Sequence, residues 1–137
     1  MPTEYHIDPE HSLVISRGTD NFRYDDYLQH MRVVLKDEAF KPVYDHLVDC
    51  RNFAEIEVTG AEMEKLSKNS VFSNQAKRAF VVSSELQFGL GRMHSSLREL
   101  AGAPATAVFR TVGEALNYLN LPEDYDVDAI VHWKSVN

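Results

Sequence analysis

Three mostly apolar runs of strand length, at residues 43–50, 79–83 and 105–110, are each followed by a segment with helical spacing or a helix-start signal. This alternation constrains the fold more than any other feature. Apolar strands joined by helices pair in parallel through right-handed crossovers and are covered on both faces. Ahead of them, residues 5–8 and 13–16 read as two short strands around the turn-rich Asp8-Pro9-Glu10-His11, an antiparallel hairpin. The predicted order is β-β-α-β-α-β-α-β-α. It makes an α/β domain with a single mixed β-sheet, antiparallel in its first hairpin and parallel in the remaining strands, and about four helices. A chain of 137 residues suits one core and is too short for two. The domain is expected over residues 1–121, with a tail at 122–137 that packs on the domain or on a second subunit.

The helices are placed by their apolar spacing. Tyr24, Tyr27, Leu28, Met31, Val34 and Leu35 share one face of a first helix, whose opening Asp25 and Asp26 suit the macrodipole. Thr59-Gly60-Ala61-Glu62 fits a capping box, and the polar helix it opens has Met63 and Leu66 as its main inward residues. With so little to bury, this second helix is expected to be the mobile element. A third helix carries the stripe Leu86, Leu90, Met93, Leu97 and Leu100, expected to face the core and to end at Gly102. Thr111-Val112-Gly113-Glu114 is a second capping box. Its helix turns Val112, Leu116 and Leu119 inward and stops before Pro122.

Composition excludes several classes of function. With 44% apolar and 26% charged residues the chain is globular rather than disordered. Its net charge of −7 opposes nucleic-acid binding, which needs a basic surface. No run approaches the roughly 18 apolar residues of a spanning helix, and the first residues lack a signal-peptide pattern, so cytoplasmic residence with at most peripheral membrane association is expected. Cys50 is the single cysteine and can form no internal disulfide.

The element order, with Phe88-Gly89-Leu90-Gly91-Arg92-Met93 leading into the third helix and Val108-Phe109-Arg110-Thr111-Val112-Gly113-Glu114-Ala115-Leu116 opening the fourth, resembles the SpoIIAA-like, or STAS-like, family. The resemblance runs from about Tyr5 to Leu121 and rests on packing and capping patterns. It implies a non-enzymatic binding or regulatory module. The best-understood members are anti-sigma-factor antagonists, switched by phosphorylation of a serine in an Asp-Ser pair before the second helix. Here the third strand ends in Asp49-Cys50-Arg51, followed by an insertion at residues 52–58, and no serine stands at the matching place. Other members imply binding of apolar small molecules or association with membranes.

In sheets of this kind ligands meet the carboxyl ends of the parallel strands. Those ends and their neighbours supply a candidate ligand or partner surface of Asp49, Arg51, Thr59, Ser83, Ser84, Gly89, Arg92 and Arg110. Thr59 is the nearest hydroxyl to the phosphoacceptor position, although N-capping already accounts for it. Gly89 and Gly91 lack the third glycine or the Lys-Ser/Thr of a phosphate loop, and serve equally for a helix start or a close helix approach, with Arg92 placed to face an anion there. Residues 77–110 carry a surplus of three positive charges, a basic stretch suited to an anionic partner. Cys50 reads as a buried structural thiol. No histidine pair has metal-motif spacing and no nucleophile with its base can be named, so neither metal, cofactor nor catalytic set is expected. The expected partner is a protein or an apolar or anionic small molecule, with a homodimer as a further expectation. An alternative function is a carrier or sensor whose second helix moves aside from a pocket lined by Leu86, Leu90, Met93 and Leu97.

Overall fold

The computed structural model describes residues 3–68, 72–73, 75–100 and 106–136. The expected hairpin is present as β1 (Thr3–Asp8) and β2 (Leu13–Gly18), antiparallel with Tyr5 opposite Ser16. Ser12 takes a left-handed φ of 53° in its turn, and Asp8 braces the turn by accepting from the His11 backbone at 3.1 Å. A short strand not expected from the sequence, β3 (Asp20–Arg23), leads into α1 (Tyr24–Lys36). After β4 (Asp45–Asp49), the stretch read as an insertion forms β5 (Phe53–Glu57), which pairs in parallel with β3 as a separate two-stranded ribbon. The remaining elements are α2 (Gly60–Lys68), β6 (Arg78–Val81), α3 (Glu85–Leu100), β7 (Thr106–Phe109), α4 (Val112–Tyr118), a short 3-10 turn at Val127–Ala129 and β8 (Lys134–Val136). Gly102, expected to end α3, lies outside the described residues.

The main sheet has the order β7-β6-β4-β2-β1-β8. Its β2-β4, β4-β6 and β6-β7 pairs are parallel, and β1 runs antiparallel to both β2 and β8. The tail folds back on its own chain. Val127 enters the core, β8 extends the sheet beside β1, and Arg17 lies 3.7 Å over the Trp133 ring. Asn120, at φ 61°, closes α4 with Leu121 donating to the Leu116 carbonyl at 2.9 Å, the left-handed cap that stops the helix before Pro122. Among the described residues no helix is long and apolar enough to cross a membrane.

Alternation along the strands sends successive side chains to opposite faces. One face carries Leu13, Ile15, Leu47, Ala79 and Val81, and is covered by Ala115, Leu116 and Leu119 of α4 and by Val127. The other carries Thr3, Ser16, His46, Arg78 and Thr106, all buried, and is covered by α1, α2 and α3.

Helix α3 corrects the sequence reading. Its buried residues are Gln87, His94 and Arg98, while Leu86 is 73% and Leu100 85% exposed and Met93 is also exposed. The predicted stripe and the buried one differ by a single residue in register, a rotation of about 100°. Specific contacts hold that rotation. A Cβ on Gly91 would lie 2.7 Å from Val108, so α3 approaches β7 along this glycine, and the Ser95 hydroxyl donates to the Thr106 carbonyl at 3.0 Å. In α1 the buried face likewise holds His30 with Met31 and Val34, and Leu35 is exposed.

Candidate functional site

Between the polar face of the sheet and its covering helices lies a cavity of about 110 Å³. Met31 of α1, Met63 and Leu66 of α2 and Leu90 of α3 wall it, and Phe22 and Phe53, 5.2 Å apart, bring in the β3-β5 ribbon. Val48, Cys50, Phe80 and Val82 form its apolar floor beside Ser16, His46 and Arg78. None of the described lining residues is an aspartate or glutamate.

A hydrogen-bonded chain runs along this floor. Thr3 Oγ1 lies 2.9 Å from His30 Nδ1, His30 Nε2 lies 2.8 Å from Ser16 Oγ, and Ser16 Oγ lies 2.7 Å from His46 Nε2. Ser16 has one hydroxyl proton between two imidazole nitrogens, so it donates to one ring and accepts from the other. The two rings therefore hold opposite tautomers, and a shift of protons along the chain turns His46 Nδ1 from donor to acceptor. Both rings are kept neutral. Burial lowers the His30 pKa to about 4. Burial, then the nearby charge of Arg78, then His30 hold His46 well below the ordinary range.

His94 closes the cavity from α3, edge-on to Phe80 at 5.2 Å between centroids. Burial, with Arg78 and Arg98 adding repulsion, lowers its pKa to about 3 against a hydrogen bond to the Leu66 carbonyl. His46 and His94 are only 2% and 4% exposed, yet Nδ1 of each has no hydrogen-bond partner among the described residues. Buried polar atoms are nearly always paired, so these two stand out among the groups lining the cavity.

The residues singled out from the sequence lie elsewhere, and none of the eight lines the cavity. Asp49 and Arg51 form a two-pronged ion pair at 2.9 and 2.8 Å, and Ser83 donates to the Arg51 carbonyl. Ser84 caps α3 by accepting from the Gln87 backbone. Arg110 pairs with Glu85 at 3.0 Å and lies 3.9 Å over the Phe88 ring. Five of the eight thus gather at the carboxyl ends of β4, β6 and β7. Thr59 is the N-cap of α2, with both capping-box bonds to Glu62 made. Gly89 and Arg92 are inside α3 and exposed, so the glycine pair marks neither a loop nor a helix start, and the close approach belongs to Gly91. Cys50 is buried, its thiol pushed up to about 12 by burial and the adjacent Asp49. Of the expected pocket stripe only Leu90 lines the cavity. A signal for the rest was available: His46 sits inside the β4 run and Arg78 opens β6, opposite one another on the same face.

No family model matches the chain, and no curated protein does. A solved structure is similar to it: an uncharacterized protein of the DUF3478 family from Shewanella loihica PV-4, described as having a SpoIIAA-like fold. The two share 18% identity over 78% of this chain and 83% of that one, with a TM-score of 0.50. The fold is SpoIIAA-like. The antiparallel first hairpin, the parallel β2, β4, β6 and β7 strands and the four helices among the described residues agree with the expectation drawn from the sequence, while the β3-β5 ribbon and β8 add to it.

Proposed function

We propose that this chain is a non-enzymatic binding module of SpoIIAA-like fold, and that it holds a small, mostly apolar molecule in the cavity beneath α1, α2 and α3. The observation that carries this reading is an apolar-walled cavity lined by two buried histidines whose Nδ1 atoms have no hydrogen-bond partner among the described residues. Its volume is close to that of an engineered apolar cavity of about 150 Å³ that takes up benzene. The contact of Ser16 with two histidines is not an acyl-transfer pair. Ser16 sits in the middle of β2 with paired strands on both sides, so the backbone amides around it are held in sheet ladders and leave no oxyanion hole. The charged groups at the carboxyl ends favour a partner surface less, because Arg51 and Arg110 already pair with Asp49 and Glu85.

Native mass spectrometry of freshly purified protein tests the proposal. A non-covalent adduct is expected, lost in a Val48→Phe variant that fills the cavity floor and keeps the wild-type circular dichroism. An adduct retained by that variant would place the ligand elsewhere.

A further inference from the structure

We infer that the cavity's ligand is an uncharged molecule built on a single aromatic ring. The inference rests on the cavity reading above and names the chemistry of its occupant.

Aromatic side chains distinguish this wall from the core across the sheet. The buried residues of that opposite cluster, among them Leu13, Ile15, Leu47 and Leu116, are all aliphatic. Around the cavity, Phe22 and Phe53 come from the ribbon, Phe80 from β6 and His94 from α3. They make two tilted pairs, Phe22 with Phe53 at 5.2 Å and 58°, and Phe80 with His94 at 5.2 Å and 81°. A ring has a negative face and a positive edge, so tilted neighbours attract beyond what burial alone gives. A further ring entering the cavity continues the same pattern, whereas an aliphatic ligand of equal size gains only the burial of its surface. Met31 of α1 and Met63 of α2 wall the same space. Their unbranched thioethers can bring a polarizable sulfur to the edge of a ring.

Charge and size narrow the class. A cation is repelled by Arg78, whose charge already depresses the pKa values of His46 and His94. An anion finds Arg78 already engaged, its guanidinium 5.4 Å from the centre of the Phe72 ring. Either ion loses its hydration in an apolar-walled space with no free partner of opposite sign among the described lining residues. The cavity of about 110 Å³ has room for one ring and not for two fused rings, since an engineered cavity of about 150 Å³ takes up benzene.

Isothermal titration calorimetry with benzene and cyclopentane, two rings of similar volume, tests the assignment. Each affinity is divided by the compound's partition from water into hexadecane, which removes the hydrophobic transfer common to both. Benzene is then expected to exceed cyclopentane by about tenfold, through ring–ring and sulfur–ring contacts. The ring current of bound benzene should shift the Met31 and Met63 methyl resonances. Met63→Leu keeps the size of the side chain and removes the sulfur, and should reduce benzene's advantage by about threefold with cyclopentane unchanged. Benzoate, benzylammonium and naphthalene should each bind at least about tenfold more weakly than benzene. Parity for any of these three would overturn the uncharged, single-ring assignment. Equal normalised affinities for benzene and cyclopentane would overturn the aromatic assignment and leave the cavity reading standing, as would failure of both to bind while the native adduct is present. If both fail to bind and the native adduct is also missing, both readings fall.

Discussion

On one face of the main sheet, Leu13, Ile15, Leu47 and Val81 meet α4 and the tail in an apolar cluster; on the other, Thr3, Ser16, His46 and Arg78 meet three helices across a cavity. The same strands build both faces, so backbone geometry does not separate them. What differs is how each is stabilised. The apolar face is held by non-directional burial, which tolerates no gap. The polar face must satisfy each hydrogen-bonding group it buries, and it leaves two imidazole nitrogens open where the cavity begins. One face is therefore a foundation, and the other is a place where a ligand can add what the protein lacks.

Acid should break this comparison most forcefully. His30, His46 and His94 are each held neutral below the ordinary value of 6.5. The unfolded chain then binds more protons than the folded one, so stability is complete above about pH 6.5 and is lost as pH falls toward the folded values. With three such groups the slope is on the order of 4 kcal/mol per pH unit, enough to unfold a domain of about 5–15 kcal/mol. Denaturant midpoints measured downward from neutrality should fall steeply before the carboxylate range, where the lowered pKa values of Asp8 and Asp37 first act. A flat profile to pH 4 would show that these imidazoles are not buried neutral.

On the apolar face, Leu47→Ala removes a side chain with no exposed surface and should cost about 3 kcal/mol in chemical denaturation. A loss below 1 kcal/mol would mean that this face collapses as readily as the other.

Two glycines of α3 give a paired test of the helix's rotation. Gly89→Ala meets nothing within 4 Å and should gain about 1 kcal/mol from helix propensity. Gly91→Ala meets the stiff Val108 side chain and should be less stable than Gly89→Ala by about 2 kcal/mol. Equal thermal midpoints would mean that α3 is turned differently on the sheet.

The smallest change is expected from His94→Leu. It removes an unpartnered buried nitrogen along with the imidazole, and stability should stay within about 1 kcal/mol of wild type while the acid sensitivity decreases. Urea titration at neutral and mildly acid pH distinguishes the two effects.

Most of the architecture was legible without coordinates. The hairpin around Asp8-Pro9-Glu10-His11, the capping box at Thr59, the N-cap at Thr111 and the stop before Pro122 depend on neighbours within a few residues, and each is present. The two strands of the ribbon were not legible. Asp20–Arg23 and Phe53–Glu57 are short, polar on their exposed positions, and are strands only because each supplies the other's hydrogen bonds. The cavity was not legible either, because its walls come from segments far apart in the chain.

By itself the sequence determined the main-sheet strands from the first hairpin to β7, the capped starts of α2 and α4, that the sheet is mixed, and that Met63 and Leu66 are the inward residues of α2, since propensity, capping and alternation are local. Tertiary structure alone decided which stripe of α3 faces inward. Leu86, Met93 and Leu100 form the more apolar stripe, yet the close approach at Gly91, the Ser95–Thr106 bond and the Gln87 bond to the Phe53 carbonyl turn His94 and Arg98 to the interior. A helix's hydrophobic pattern records only its average preference for burial; its rotation on a sheet is set by the few contacts that fit, and here those contacts put His94 among the cavity's lining residues.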